Sequence, residues 1–295
     1  MADKNNLLAA ECIAVAKDEL RLVLESEKRV DTLYHYTDTS GLLGILKAKQ
    51  VWATDSRFLN DSQELSYGRE VALDVLSSHF TLSTARDVVL GGRQFVATQM
   101  FVASFSANPD VLSQWRAYAG DGLGYAVGFD SAHPLPREGA SVQFRPVVYD
   151  EAKQRAAIDR ILAPALKPIR EAGRELYTSA KAFCEALELV LPYFKNPGFK
   201  EEGEWRAVVQ HGFADSVAPT GFRASRYGVT PHIFLGDPSG RLPLRELFLG
   251  PKIAKKLGTE AARELLDSHG YFSRVDEERI TPYDVLIRCS RTSYQ

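Results

Sequence analysis

Thr32-Leu33-Tyr34-His35-Tyr36-Thr37 is followed by Ser40-Gly41-Leu42-Leu43-Gly44-Ile45-Leu46-Lys47 and then by Val51-Trp52-Ala53-Thr54. The first piece reads as a strand over Thr32 to Tyr36. The second is a short helix with its apolar residues on one side, and the third a brief second strand. Strand, helix and strand in such short order point to a mixed α+β fold. His35-Tyr36-Thr37 thus sits at a strand end just ahead of a helix, a place where polar side chains are presented at a sheet edge.

The rest of the chain keeps this pattern. Leu8, Cys12, Ile13, Ala16, Leu20, Val23 and Leu24 recur at helical spacing from about Asn5 to Glu27, which makes residues 1–30 an N-terminal helical cover. Residues 31–295 then read as one mixed α+β domain. Asn60-Asp61 with Glu64 resembles a helix start, or a polar group of the site, ahead of a helix from Leu65 to Phe80. Gly91-Gly92 interrupts, and Phe95 to Phe105 returns to strand. Trp115 and Tyr118 fall on a short helix, and Gly120-Asp121-Gly122-Leu123-Gly124 turns tightly into a strand over Tyr125 to Phe129. This glycine run precedes a strand rather than opening a helix, so it does not read as a phosphate loop.

Gln143 to Tyr149 is another strand, and residues 151–191 form a helical insertion broken near Pro164 and Pro168. Further strands are expected over Trp205 to His211, Tyr227 to Leu235, Leu244 to Leu249 and Asp284 to Ile287, with a helix from Ile253 to His269. Trp52, Trp115, Tyr118 and Trp205 are expected in the core, because large aromatics dominate packing energy.

Composition limits the function classes. The 295 residues balance 36 Lys and Arg against 38 Asp and Glu, so no chain-wide basic field captures nucleic acid or an anionic membrane. Cys12, Cys184 and Cys289 are widely spaced without a Cys-x-x-Cys, which fits reduced thiols rather than disulfides or zinc. No run approaches the roughly eighteen apolar residues of a membrane span. A soluble, cytoplasmic protein is expected.

Three polar stations carry the chemistry: His35-Tyr36-Thr37, Ser104-Phe105-Ser106 and Glu202-Gly203-Glu204. Each lies in or beside a strand-like stretch, so a sheet can bring them to one cleft. A His bonds a ribose hydroxyl, a Ser or Thr bonds ribose or fixes backbone, and a carboxylate opposes a developing positive charge. Glu202 and Glu204 share a side if the backbone is extended, whereas Gly203 permits a turn instead. Arg57 and Arg206 lie near two of the stations and suit a pyrophosphate as bidentate donors, or an ion pair with a nearby acid.

Residues 33–64, together with Ala103-Ser104-Phe105-Ser106, Gln114-Trp115-Arg116-Ala117-Tyr118-Ala119, the block 122–129 and Phe199-Lys200-Glu201-Glu202-Gly203-Glu204-Trp205-Arg206, resemble the bacterial domain-of-unknown-function family 2971. The order His-x-Thr, Ser-x-Ser, Glu-x-Glu is more distantly similar to the NAD-binding stations of the ADP-ribosyltransferase superfamily. That likeness implies a split mixed or antiparallel sheet with flanking helices, and NAD as substrate. It implies that His35, Tyr36, Thr37, Ser104, Ser106, Arg57 and Arg206 bind NAD, with Glu204 catalytic and Glu202 activating the acceptor. Tyr36 stands where His-led members carry Gly. The activity implied is ADP-ribosyl transfer to a protein or nucleic-acid acceptor, or NAD hydrolysis, in a bacterial defence or toxin setting. The alternative is a nucleotide-binding or interaction module without chemistry.

Overall fold

The computed structural model describes residues 2–26, 30–59, 63–95, 99–137, 140–171, 176–211, 218–225, 228–275 and 284–294. Residues 60–62 and Tyr227, named above, lie outside them.

Burial alternates unevenly along the first strand, β1 (Thr32–Thr37), because both of its faces are covered. Asp38 ends it by accepting the Gly41 amide at 2.7 Å, which caps helix α2 (Thr39–Ala48) and satisfies one of its free N–H groups. Leu42, Ile45 and Leu46 then face the sheet. Strand β2 (Val51–Asp55) follows, with β3 (Gln99–Ser106), β4 (Tyr125–Asp130), the hairpin β5 (Leu135–Arg137) and β6 (Ala140–Val142), and β7 (Phe144–Pro146). Later strands are β8 (Glu204–His211), β9 (Gly221–Ser225), β10 (Gly228–Leu235), β11 (Leu244–Leu249), β12 (Phe272–Val275) and β13 (Asp284–Cys289). The remaining helices are α1 (Ala2–Ser26), α3 (Gln63–His79), α4 (Leu82–Phe95), α5 (Leu112–Tyr118), α6 (Glu151–Glu171), α7 (Leu176–Val190) and α8 (Lys255–Ser268).

The main sheet runs β12-β13-β11-β4-β1-β3-β2-β10-β9, with β8 on β3 and β7 on β8. Pairing is antiparallel except for β13, which is parallel to both β11 and β12, so the α+β architecture has a mixed sheet. One detail of register shapes the molecule. Strand β8 pairs with β3 along its whole length, from Gln99 opposite His211 to Ser106 opposite Glu204. The other edge of β3 is therefore shared: β1 takes it at Ser106, opposite Tyr34, and β2 at Phe101 and Val102, opposite Asp55 and Thr54. Between these points β1 and β2 diverge, and the sheet forks beside Ser104.

Among the described residues two large apolar cores hold the fold, with a smaller cluster of Tyr34, Tyr36, Trp115, Ala119 and Ala126 beside them. Leu33, Phe101, Phe105, Val127, Phe129, Ile233 and Leu247 belong to the sheet core. A second core joins α1, α3, α4, α6 and α7 through residues such as Cys12, Leu76, Val88, Ile161 and Phe183. The 151–191 helices thus share a core with the N-terminal helix.

Three local expectations are corrected. Gly91-Gly92 does not interrupt: α4 runs through both glycines to Phe95, and strand β3 begins at Gln99. A helical glycine costs only about 1 kcal/mol, which burial of Ala85 and Val88 offsets. Helix α6 likewise runs through Pro164 and Pro168 unbroken. An interior proline costs about 3 kcal/mol, but the buried stripe Ile158, Ile161, Leu162, Ala165 and Ile169 outweighs it at roughly 1.5–3 kcal/mol for each large aliphatic. The strand expected over Gln143 to Tyr149 is short, spanning Phe144–Pro146.

Candidate active site

The fork opens a cleft with two adjoining lobes. The inner lobe, of about 150 Å³, is lined by β1, β2, β3, α5 and β9, with Lys195, Glu202 and Glu204 as its charged wall. The outer lobe, of about 440 Å³, shares His35, Tyr36, Trp52, Thr54, Tyr118 and Arg223 with it and adds Thr37, Asp38, Ser40 and Gly41. His35, Ser104 and Glu204 line the inner lobe together.

His35 bridges the fork. Its Nδ1 lies 2.9 Å from the Ser104 carbonyl. A carbonyl oxygen accepts only, so Nδ1 carries the proton and Nε2 is left as an acceptor. Burial holds the imidazole below its ordinary range and the positive charge of Arg223 adds to this, while the Ser104 bond opposes it. His35 is therefore neutral at neutral pH. Ser104 itself is exposed on β3 and lines the inner lobe.

Thr37, at the end of β1, lines the outer lobe. Its Oγ1 approaches Gly41 so closely that a Cβ there would sit 1.9 Å from it, which explains the glycine at the start of α2. Tyr36 lines both lobes, donates to the Asn108 carbonyl at 2.9 Å and accepts the Val111 amide at 3.1 Å. It is thereby fixed in place edge-on to the buried Trp115.

The second serine of its station has another task. Ser106 is buried, donates to the Glu202 carbonyl at 2.6 Å and accepts the Asn108 amide at 3.0 Å. It holds the backbone of the acidic turn rather than lining the cleft. Gly203 takes the left-handed conformation, with φ of 51°, so the chain turns between the two glutamates. They meet at a lysine instead: Lys195 Nζ donates to Glu202 at 2.6 Å and to Glu204 at 2.8 Å.

Glu204 is the centre of a buried charge cluster. Arg206 donates to both its oxygens, Nε at 2.8 Å and Nη2 at 2.9 Å, and also to the Pro192 carbonyl at 2.6 Å. Burial pushes the Glu204 carboxyl up, but Arg206 and Lys195 outweigh burial and hold it well below the usual carboxylate range. Arg206 is 2% exposed and faces this cluster, not a ligand space. Arg57 is bidentate with the buried Asp55, its Nε at 3.0 Å and Nη2 at 2.7 Å, and stands outside the cleft while Phe58 and Leu59 line it. Both arginines singled out in the sequence are thus paired with carboxylates two residues away.

The basic residue that lines both lobes is Arg223 on β9, whereas Lys195 lines the inner one. Lys195, Arg223, Trp52 and Tyr118 were not singled out for the site. Trp52 and Tyr118 are not core residues: they are 40% and 39% exposed and line both lobes, whereas Trp115 is fully buried. In β2 the burial pattern marks Trp52 alone as outward, and its ring stacks on His232 at 4.6 Å. Helix α5, which presents Gln114 and Tyr118, is anchored through Asp110. That carboxylate accepts from Trp115 Nε1 at 2.7 Å, Ser290 Oγ at 2.5 Å and the Arg291 amide at 2.8 Å.

The model of a family described as a protein of unknown function, DUF2971, matches residues 114–207. Over this stretch the chain is similar to that family. The DUF2971 span begins on α5 and ends on β8, so it contains Gln114, Tyr118, Lys195, Glu202, Glu204 and Arg206, while His35, Ser104 and Arg223 lie outside it. No curated protein and no solved structure matches the chain. Among the described residues, no helix is long and apolar enough to cross a membrane.

Proposed function

We propose that this protein cleaves the bond between nicotinamide and ribose in NAD and passes the ADP-ribosyl group to a protein or nucleic-acid acceptor, or to water. The observation that carries this reading is the convergence of His35, Ser104 and Glu204 on one cavity where the sheet forks. The fork itself favours an ADP-ribosyltransferase-like split sheet. The inner lobe alone is too small for a dinucleotide, but the two adjoining lobes reach the roughly 300–1,000 Å³ usual for small-molecule sites.

In this mechanism His35 Nε2 accepts a ribose hydroxyl, and Ser104 keeps the imidazole in that tautomer through its carbonyl. The carbon–nitrogen bond breaks with its electron pair leaving on nicotinamide. The positive ribosyl centre faces the wall of Glu202 and Glu204, whose charge is fixed in place before the reaction begins. The acceptor's lone pair then forms the new bond to the same carbon, and its proton passes to Glu202 as base.

One observation favours a second reading, a nucleotide-binding module without turnover. Lys195 and Arg206 already neutralise Glu204, which weakens it as a partner for a ribosyl cation. Incubation with nicotinamide-labelled NAD, with candidate acceptors present, separates the two. Release of label that Glu204→Gln abolishes supports the enzyme. Calorimetric binding of NAD with all label retained supports the module and overturns the enzyme.

A further inference from the structure

Arg223 differs from the other arginines near the cleft. Arg57 is held by Asp55 and Arg206 by Glu204, whereas among the described residues no carboxylate pairs with Arg223. Its hydrogen bond there goes to a neutral hydroxyl, from Nη2 to Thr54 Oγ1 at 3.3 Å. A guanidinium offers five N–H donors, so most of its capacity is unspent. It is partly buried, and burial depresses its pKa. A cation withdrawn from water without a counter-charge is a costly arrangement for folding alone.

Asp38 lines the same outer lobe but spends its carboxylate on Ser40 and the Gly41 amide, and among the described residues it forms no ion pair with Arg223. His35 donates Nδ1–H to a carbonyl and is neutral. His232 is buried with neither ring nitrogen hydrogen-bonded, and burial first, then Arg223, holds it below its ordinary range. The acidic wall of the inner lobe is occupied elsewhere: Glu204 by Lys195 and Arg206, Glu202 by Lys195. Beside Arg223, Trp52 turns one face to His232, with the rings 27° from parallel, and keeps 40% of its surface exposed at the cleft. A forked donor next to an exposed indole, at the junction of two lobes, matches an anion carried next to a planar ring.

We propose that Arg223 is an anion receptor that takes the phosphate of a nucleotide whose base rests on Trp52. The inference rests on the NAD reading for the word nucleotide, and on Arg223 and Trp52 for the rest. It assigns the phosphate to β9 and leaves Arg57 and Arg206 to their ion pairs.

The test is calorimetric binding of ADP, adenosine and inorganic pyrophosphate to the full chain, in wild type, Arg223→Ala, Arg223→Lys and Trp52→Leu. ADP should bind about ten- to a hundredfold tighter than adenosine, as charge-assisted bonds imply. Arg223→Ala should erase that difference while leaving adenosine unchanged, and Arg223→Lys should keep part of it. Trp52→Leu should weaken ADP and adenosine by the same factor and leave pyrophosphate alone. Added pyrophosphate should raise the Tm of wild type but not of Arg223→Ala, which reports on the folded protein directly.

Equal affinity for ADP and adenosine in wild type overturns the proposal, and so does a pyrophosphate effect that survives Arg223→Ala. Failure here is distinct from failure of the catalytic reading. NAD cleavage at full rate and unchanged KM in Arg223→Ala sinks the anion receptor and keeps the enzyme. Arg223-dependent ADP binding with no nicotinamide release does the reverse.

Discussion

Replacing Glu204 by Gln keeps the side-chain volume and removes one buried charge from a cluster of four. Both carboxylate oxygens now accept: one from Arg206 Nε, the other from Lys195 Nζ and Arg206 Nη2. A Gln has one acceptor oxygen and one NH2, so whichever way it turns an N–H group faces a cationic donor. Removing one partner of a buried ion pair costs about 3–5 kcal/mol because the other charge stays behind. Lys195 keeps Glu202 at 2.6 Å and Arg206 keeps the Pro192 carbonyl at 2.6 Å. The loss therefore falls at the lower end, about 3 kcal/mol.

The assay is urea unfolding over a pH series. Glu204 has a folded pKa depressed below its unfolded value of about 4.3, so its contribution is fully present above that pH. It is lost as pH falls through the folded pKa, because the unfolded chain then binds more protons. Wild type and Glu204→Gln should thus differ by about 3 kcal/mol at pH 7 and converge in acid. Equal stability at pH 7, or a gap that persists unchanged into acid, would refute the claim that this carboxylate is held ionised by Arg206 and Lys195. The same experiment sets the conditions for activity work, since lost turnover in Glu204→Gln is informative only where the variant remains folded.

Other outcomes test separate parts of the structure. Gly41→Ala should destabilise by about 1–3 kcal/mol despite alanine's better helix propensity, because its Cβ meets Thr37 Oγ1, whereas Gly44→Ala, with nothing within 4 Å, should stabilise by up to about 1 kcal/mol. Thermal unfolding of the pair checks this. Pro164→Ala should raise stability by about 1–3 kcal/mol in urea, since α6 already runs through that position. NMR titration should find His35 and His232 neutral at pH 6.5 and His35 in a single tautomer protonated on Nδ1. Their folded pKa values lie below the unfolded value of about 6.5, so the stability they contribute is present above that pH and declines as pH falls below it.

Local patterning made much of the fold legible. The strand, helix and strand around His35 stand within a residue or two of their sequence boundaries, as do β4, β10 and β11, because period and turn chemistry agree there. Reading failed where one local signal was outweighed by packing. Gly91-Gly92 and the two α6 prolines are breakers by propensity, and the buried faces of their helices override them. In the cleft, Ser106 and Arg206 were legible as polar residues beside the stations, but not the direction they face. The buried bond of Ser106 to Glu202 follows from the antiparallel register of β3 and β8, a long-range pairing that no short window contains, whereas Arg206 meets Glu204 two residues away on the same strand. Arg223 and Lys195 come from a strand and a loop that carry no station of their own. The weak sequence signal for Arg223 was one basic residue between Phe222 and Ala224 on a short alternating strand.

The imidazole at the fork occupies a place where a neighbouring strand would otherwise supply a backbone amide. Its bond to the Ser104 carbonyl stitches β1 to β3 just where β2 peels away, so the residue nearest the expected ribose is also a rivet of the scaffold. Deleting His35 therefore changes the aperture of the gorge as well as its chemistry. Only substitutions that preserve the donor, such as His35→Asn or His35→Gln, allow the two effects to be weighed apart.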